Sequence, residues 1–146
     1  MNVTVVTIAD LEAIAADVVR RVESFPGARA VLCTLSGDLG AGKTTLTQAI
    51  ARNLGIVETL QSPTFVIRKR YETGHPTIKQ LIHIDAYRLS SGQEIKKIKF
   101  EEDLAQPYTL ICLEWPEQIA DLHLLPDIAL QLKHVDETTR EITILP

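Results

Sequence analysis

An α/β fold of three layers, with a mixed central sheet that is parallel at its core and carries antiparallel hairpins, is what this sequence predicts. Three observations carry the prediction. An apolar run at 30–35 passes through a glycine-rich turn into a helix-patterned run that begins at Lys43. Two more apolar stretches, 81–84 and 109–113, each end in a carboxylate, Asp85 and Glu114. Two pairs of extended segments, 65–71 with 77–87 and 128–133 with 140–144, are separated by short polar gaps and read as hairpins.

The bulk composition sets the frame for these elements. A chain of 146 residues reads as one domain spanning 1–146, with enough apolar content (45%) for a sizeable core. The net charge of −4 argues against a protein devoted to wrapping nucleic acid. Cys33 and Cys112 both fall inside apolar runs, so they read as buried thiols in a reducing compartment. Apolar runs of membrane-spanning length and a charged-then-apolar leader are not seen, and the expected location is cytoplasmic, with no membrane partner.

In chain order, residues 3–8 are rich in β-branched side chains and predict a strand. Thr7, three residues ahead of Asp10, marks a helix start. Leu11, Ile14, Ala15, Val18 and Val22 then form one apolar stripe, until Pro26-Gly27 breaks the helix. After Lys43, Leu46, Ala49, Ile50 and Leu54 repeat at helical spacing, with Gly55 placed as a C-terminal cap. Pro63 forces Ser62 away from helical geometry, so 61–65 reads as an extended loop. Arg68-Lys69-Arg70 reads as a charge-shielded edge strand, or as a basic patch for RNA phosphates. The charged segment 93–104 reads as a helical, solvated surface element. Trp115, the sole tryptophan, is either a pocket wall or ordinary packing, and His83 reads as a packed histidine.

The chemistry is concentrated in Gly37-Asp38-Leu39-Gly40-Ala41-Gly42-Lys43-Thr44-Thr45, which fits G-x-x-x-x-G-K-[ST] between a strand and a helix. Glycines let successive N–H groups turn inward, and the helix start adds partial positive charge, so Asp38 through Thr45 form a phosphate cradle. Lys43 contributes a point charge for the outer phosphates, and the Thr44 hydroxyl can ligate Mg²⁺. A carboxylate closing an apolar strand is costly unless compensated, which makes Asp85 the candidate metal-side aspartate. Glu114 or Thr64 could orient a water in line with the γ-phosphate. Thus Lys43, Thr64, Asp85 and Glu114 are the candidate catalytic residues, with Thr44, Asp85 and Glu114 the candidate metal ligands. No guanine-specificity motif is visible, so adenine is the expected base, and no arginine finger is evident in cis. A small-molecule kinase and a non-catalytic nucleotide-dependent binding module are the alternatives. The kinase lacks an arginine-bearing lid, and the module would leave both carboxylates purely structural.

The order and spacing of the phosphate loop, Ser62-Pro63-Thr64-Phe65, His83-Ile84-Asp85-Ala86-Tyr87-Arg88-Leu89 and Glu114-Trp115-Pro116-Glu117 resemble the TsaE family over essentially the whole chain. The resemblance implies a P-loop ATPase of tRNA threonylcarbamoyladenosine modification. Its implied ligands are ATP and Mg²⁺, and its implied partners are the TsaB and TsaD subunits, with tRNA contacted mainly through the complex. Hydrolysis would reset that complex between turnovers. It also implies that Thr64 holds a switch-like position, that Asp85 is the Mg²⁺ aspartate and that Glu114 is a catalytic or Mg²⁺-associated glutamate. Similar family members usually carry a glycine in the charged segment, where this chain has Ile95-Lys96-Lys97-Ile98-Lys99.

Overall fold

Thr7 turns the backbone from strand to helix earlier than the β-branched run suggests. In the computed structural model, which describes residues 2–5, 7–58, 68–96 and 99–145, strand β1 (Asn2–Val5) stops short and helix α1 spans Ile8–Glu23. The reason is a capping box. Thr7 Oγ1 accepts from Asp10 N and the Asp10 carboxylate accepts from Thr7 N, both at 3.1 Å. The α1 stripe is buried at all five positions, as are Leu46, Ala49, Ile50 and Leu54 along and just after helix α2 (Lys43–Asn53). Thr64 and the loop around it lie outside the described residues.

The remaining strands are β2 (Val31–Ser36), β3 (Arg68–Glu72), β4 (Gln80–Asp85), β5 (Thr109–Glu114), β6 (Ile128–His134) and β7 (Arg140–Leu145). Among the described residues they form, with β1, one seven-stranded sheet in the order β1-β7-β6-β2-β5-β4-β3. The four strands β6, β2, β5 and β4 run parallel, while β3, β7 and β1 pair antiparallel. The fold is therefore α/β with a parallel centre and two hairpins. Strands β2, β5 and β4 bury both faces, which explains their continuous apolar runs. One face packs on α1 and α2 through Val31, Cys33, Leu35, Leu81, Leu110 and Cys112. The other packs on the short helices α3 (Gly92–Lys96) and α4 (Phe100–Leu104) and the 3-10 segment Pro116–Leu122. Among the described residues, no helix is long and apolar enough to cross a membrane.

Cys33 and Cys112 are buried, unbridged and directly opposite one another on β2 and β5. Their mutual hydrogen bonding, with burial, holds the Cys112 thiol well above the usual cysteine range and so keeps it unreactive.

The charged segment departs from its expected solvated helix. Ile95 and Phe100 are buried five positions apart, and residues so spaced lie about 140° apart around a helix, on no common face. The chain resolves the conflict by making two short helices, with Lys99 at φ 64° starting the second. Asp103 is buried as well, and it takes the Arg68 guanidinium through two bonds of 2.6 and 2.7 Å. This pair bears on the basic run. Edge strand β3 has Arg68 committed to Asp103 and Lys69 over the Tyr71 ring, which leaves less free charge for RNA phosphates than the sequence implied.

A second clasp joins the parallel strands at their amino ends. Arg29 donates two bonds of 2.9 Å to Asp127, which also accepts Leu32 N at 2.8 Å. Hydrogen bonding with Arg29 holds the Asp127 carboxyl below the usual aspartate range. A carboxyl lowered by folding stabilises the native state above its unfolded value, about 3.9, and that contribution disappears as pH falls through the folded value. Urea unfolding compared at about pH 5 and about pH 3 should show a smaller acid-induced loss in Asp127→Asn than in the unmodified chain.

Candidate functional site

The turn between β2 and α2 has the geometry of an anion cradle. At Gly37 (φ +145°) a Cβ would lie 2.2 Å from the Leu132 carbonyl oxygen, so only glycine lets the loop rest against β6. At Gly42 (φ +100°) the chain enters α2 in the left-handed region, and no side chain caps the helix. No acidic residue occupies the first turn of α2 either, so its partial positive charge is left for a ligand.

Lys43 folds back into this turn. It is buried, and its Nζ donates to the carbonyls of Gly37 (2.6 Å) and Asp38 (2.9 Å). Nζ also sits 4.1 Å from the centre of the Trp115 ring, a cation–π contact. Burial pulls the ammonium below the usual lysine range, while the charges of Glu114, Glu117, Asp85 and Asp38 oppose the shift. In effect the ammonium occupies its own cradle, held by bonds that a phosphate group can replace.

The sheet brings the two strand-end carboxylates side by side. Asp85 and Glu114 are in register across β4 and β5, and Leu35 of β2 is opposite Glu114. Glu114 is only 2% exposed. It accepts a forked bond from the Thr44 hydroxyl, 2.9 Å to Oε1 and 3.1 Å to Oε2. Asp85 accepts Tyr87 N at 3.0 Å. Burial raises its carboxyl above the usual range, and the Glu114 charge raises it further, against the bond from Tyr87. A buried carboxylate beside a half-buried one at a strand end is electrostatically costly, and a hard cation would relieve both. The Thr44 hydroxyl and the Asp85 carboxylate are suitable oxygen donors for Mg²⁺. Among the described residues no three His, Cys, Asp or Glu side chains converge to cage a metal, so an ion here would draw further oxygens from phosphate and water.

Lys43, Thr44, Asp85 and Glu114 thus converge on one edge, next to the Asp38–Thr45 loop, whereas Thr64 lies outside the described residues. Three further residues complete the site: Trp115, read from the sequence as pocket wall or packing, His83, read as a packed histidine, and Arg140, which the sequence did not single out. Trp115 takes φ 61° immediately after β5, packs on the second core, and covers Lys43 with Tyr87 tilted against it at 4.9 Å. It is therefore both pocket wall and packing residue. Arg140 braces the loop from β7, donating to Gly40 O (3.2 Å) and to the Asp136 and Thr139 carbonyls. His83 is fully buried and bonds Glu114 Oε2 through Nε2. The alternation of strand β4 puts His83 on the same face as Asp85, but the sequence did not show which residue would stand opposite it.

Comparison with known proteins points one way. The family model described as "Threonylcarbamoyl adenosine biosynthesis protein TsaE" matches residues 6–142. Three proteins described as "tRNA threonylcarbamoyladenosine biosynthesis protein TsaE" are similar to this chain. That of Streptomyces coelicolor is 42% identical over 90 residues, covering 59% of this chain and 57% of the relative. That of Rickettsia felis is 40% identical over 112 residues, covering 76% and 63%. That of Bacillus subtilis is 38% identical over 112 residues, covering 75% and 66%. The chain thus spans between 57% and 66% of the length of these relatives. The crystal structure of YdiB from Bacillus subtilis is similar at a TM-score of 0.68 and 28% identity, covering 99% of this chain and 83% of that one.

Proposed function

Because this chain belongs to the TsaE family of tRNA threonylcarbamoyladenosine biosynthesis, we propose that it is the ATP-binding and ATP-hydrolysing subunit of that modification system, working with TsaB and TsaD. The observation that carries the reading is the convergence of the uncapped α2 start, Lys43 and Thr44 on Asp85 and Glu114 at one sheet edge.

Each residue has a role that follows from its position. Loop amides from Asp38 to Thr45 bind phosphate oxygens, and Lys43 exchanges the Gly37 and Asp38 carbonyls for the outer phosphates. Thr44 and Asp85 would hold Mg²⁺, which when bound neutralises charge on the β- and γ-phosphate oxygens. A Thr44 hydroxyl turned toward such an ion would leave Glu114 Oε1 free to orient the attacking water. Thr64 keeps the switch-like role implied by the family. Arg140 donates through Nε and one terminal nitrogen to loop carbonyls, which fits a brace rather than an arginine finger and favours slow turnover until a partner completes the site.

Trp115 supplies the direct test. Drawing Lys43 away from its ring should change the emission of the sole tryptophan, so Mg²⁺–ATP is expected to produce a saturable fluorescence change. Phosphate release should be slow in the isolated chain and rise with TsaB and TsaD. A flat titration would remove the nucleotide site. Equal rates with and without the partners would remove partner control.

A further inference from the structure

The buried His83–Glu114 pair has more organisation than packing alone requires. His83 is 0% exposed and Glu114 2%, and Nε2 of the imidazole faces Glu114 Oε2. The other ring nitrogen, Nδ1, is buried with no hydrogen-bond partner. That asymmetry assigns the proton. A proton on Nδ1 would orphan a buried donor and set the Nε2 lone pair against a carboxylate; a proton on Nε2 orphans only an acceptor. His83 is therefore the donor, and Glu114 receives its N–H on one oxygen and the Thr44 hydroxyl on both.

These bonds differ in permanence under the ATPase reading, on which the present inference rests. Thr44 would leave Glu114 when its hydroxyl turns to the metal–nucleotide, whereas His83 is held inside the sheet, in register between Lys69 and Cys112. Once Thr44 has gone, Lys43 is the competing attraction, because the Glu114 charge already acts on it. We infer that His83 is a positioning residue for hydrolysis: its Nε2–H holds Glu114 Oε2 so that Oε1 stays aimed at the attacking water instead of collapsing onto Lys43.

Two substitutions separate this role from packing. His83→Phe fills the space without a donor, and His83→Gln returns an N–H near the position of Nε2. With TsaB and TsaD present, His83→Phe should lower kcat by about 10–100-fold, while the Kd for Mg²⁺–ATP from Trp115 fluorescence stays within about twofold. His83→Gln should recover most of the loss. A folded His83→Phe protein with unmodified kcat, or kcat and affinity falling together without rescue by Gln, would overturn the inference. Nitrogen-15 NMR of histidine-labelled unmodified protein gives a readout that does not depend on turnover or on the variants folding. It should find neutral His83 protonated at Nε2, with a signal that moves in Glu114→Gln; an Nδ1–H tautomer or no response overturns the inference. If the unmodified protein binds ATP but does not hydrolyse it, alone or with the partners, the ATPase reading and this role fall together. If it hydrolyses ATP beside a fully active His83→Phe, only the role of His83 falls.

Discussion

Lys43→Ala is expected to weaken Mg²⁺–ATP binding by about 100-fold or more, as measured by calorimetry. The Lys43 ammonium already forms two hydrogen bonds at phosphate-like sites in the loop, to Gly37 and Asp38, at 2.6 and 2.9 Å. A hydrogen bond to a charged group contributes about 1.5–3 kcal/mol, and each 1.4 kcal/mol is about tenfold in affinity. Two such bonds to phosphate oxygens, in a site where burial already penalises the free cation, amount to two orders of magnitude or more. Unchanged affinity would remove Lys43 from the site.

Glu114→Ala should have the opposite profile. Nucleotide affinity is expected to stay within a few-fold while phosphate release falls by about 10²–10⁴-fold, the range of a lost general base or water-orienting group. The same change strands the His83 Nε2–H in the sheet, and a buried donor without a partner costs about 1–3 kcal/mol. Glu114→Ala should therefore lower the melting temperature as well. Glu114→Gln keeps an acceptor for both His83 and Thr44, so it should regain stability without regaining turnover. Equal losses of binding and turnover in the Gln variant would make Glu114 a binding residue instead.

Much of the fold was legible because its causes are local. Thr7 and Asp10 are three residues apart and cap a helix wherever they occur; the Leu11–Val22 stripe follows from 3.6 residues per turn. Short runs that are apolar at every position, bounded by turns, fit strands covered on both faces, and a glycine-rich turn between strand and helix leaves amides unpaired for an anion. The charged segment was misread for a related reason. Its composition is that of a solvated face, and Asp103 is buried only because Arg68, 35 residues earlier, meets it.

By itself, then, the sequence determined which residues could be strand or helix, where a glycine-rich loop joins a strand to a helix, and that two carboxylates close apolar strands. Only the tertiary structure decided which strand lies beside which. Periodicity tells a side chain which face it occupies; it carries no information about the neighbour across the sheet, because pairing is set by the packing of the whole layer. The order β6-β2-β5-β4 is what puts Asp85 level with Glu114, brings Thr44 to Glu114 across 70 residues of chain, and sets the buried His83 against the same carboxylate.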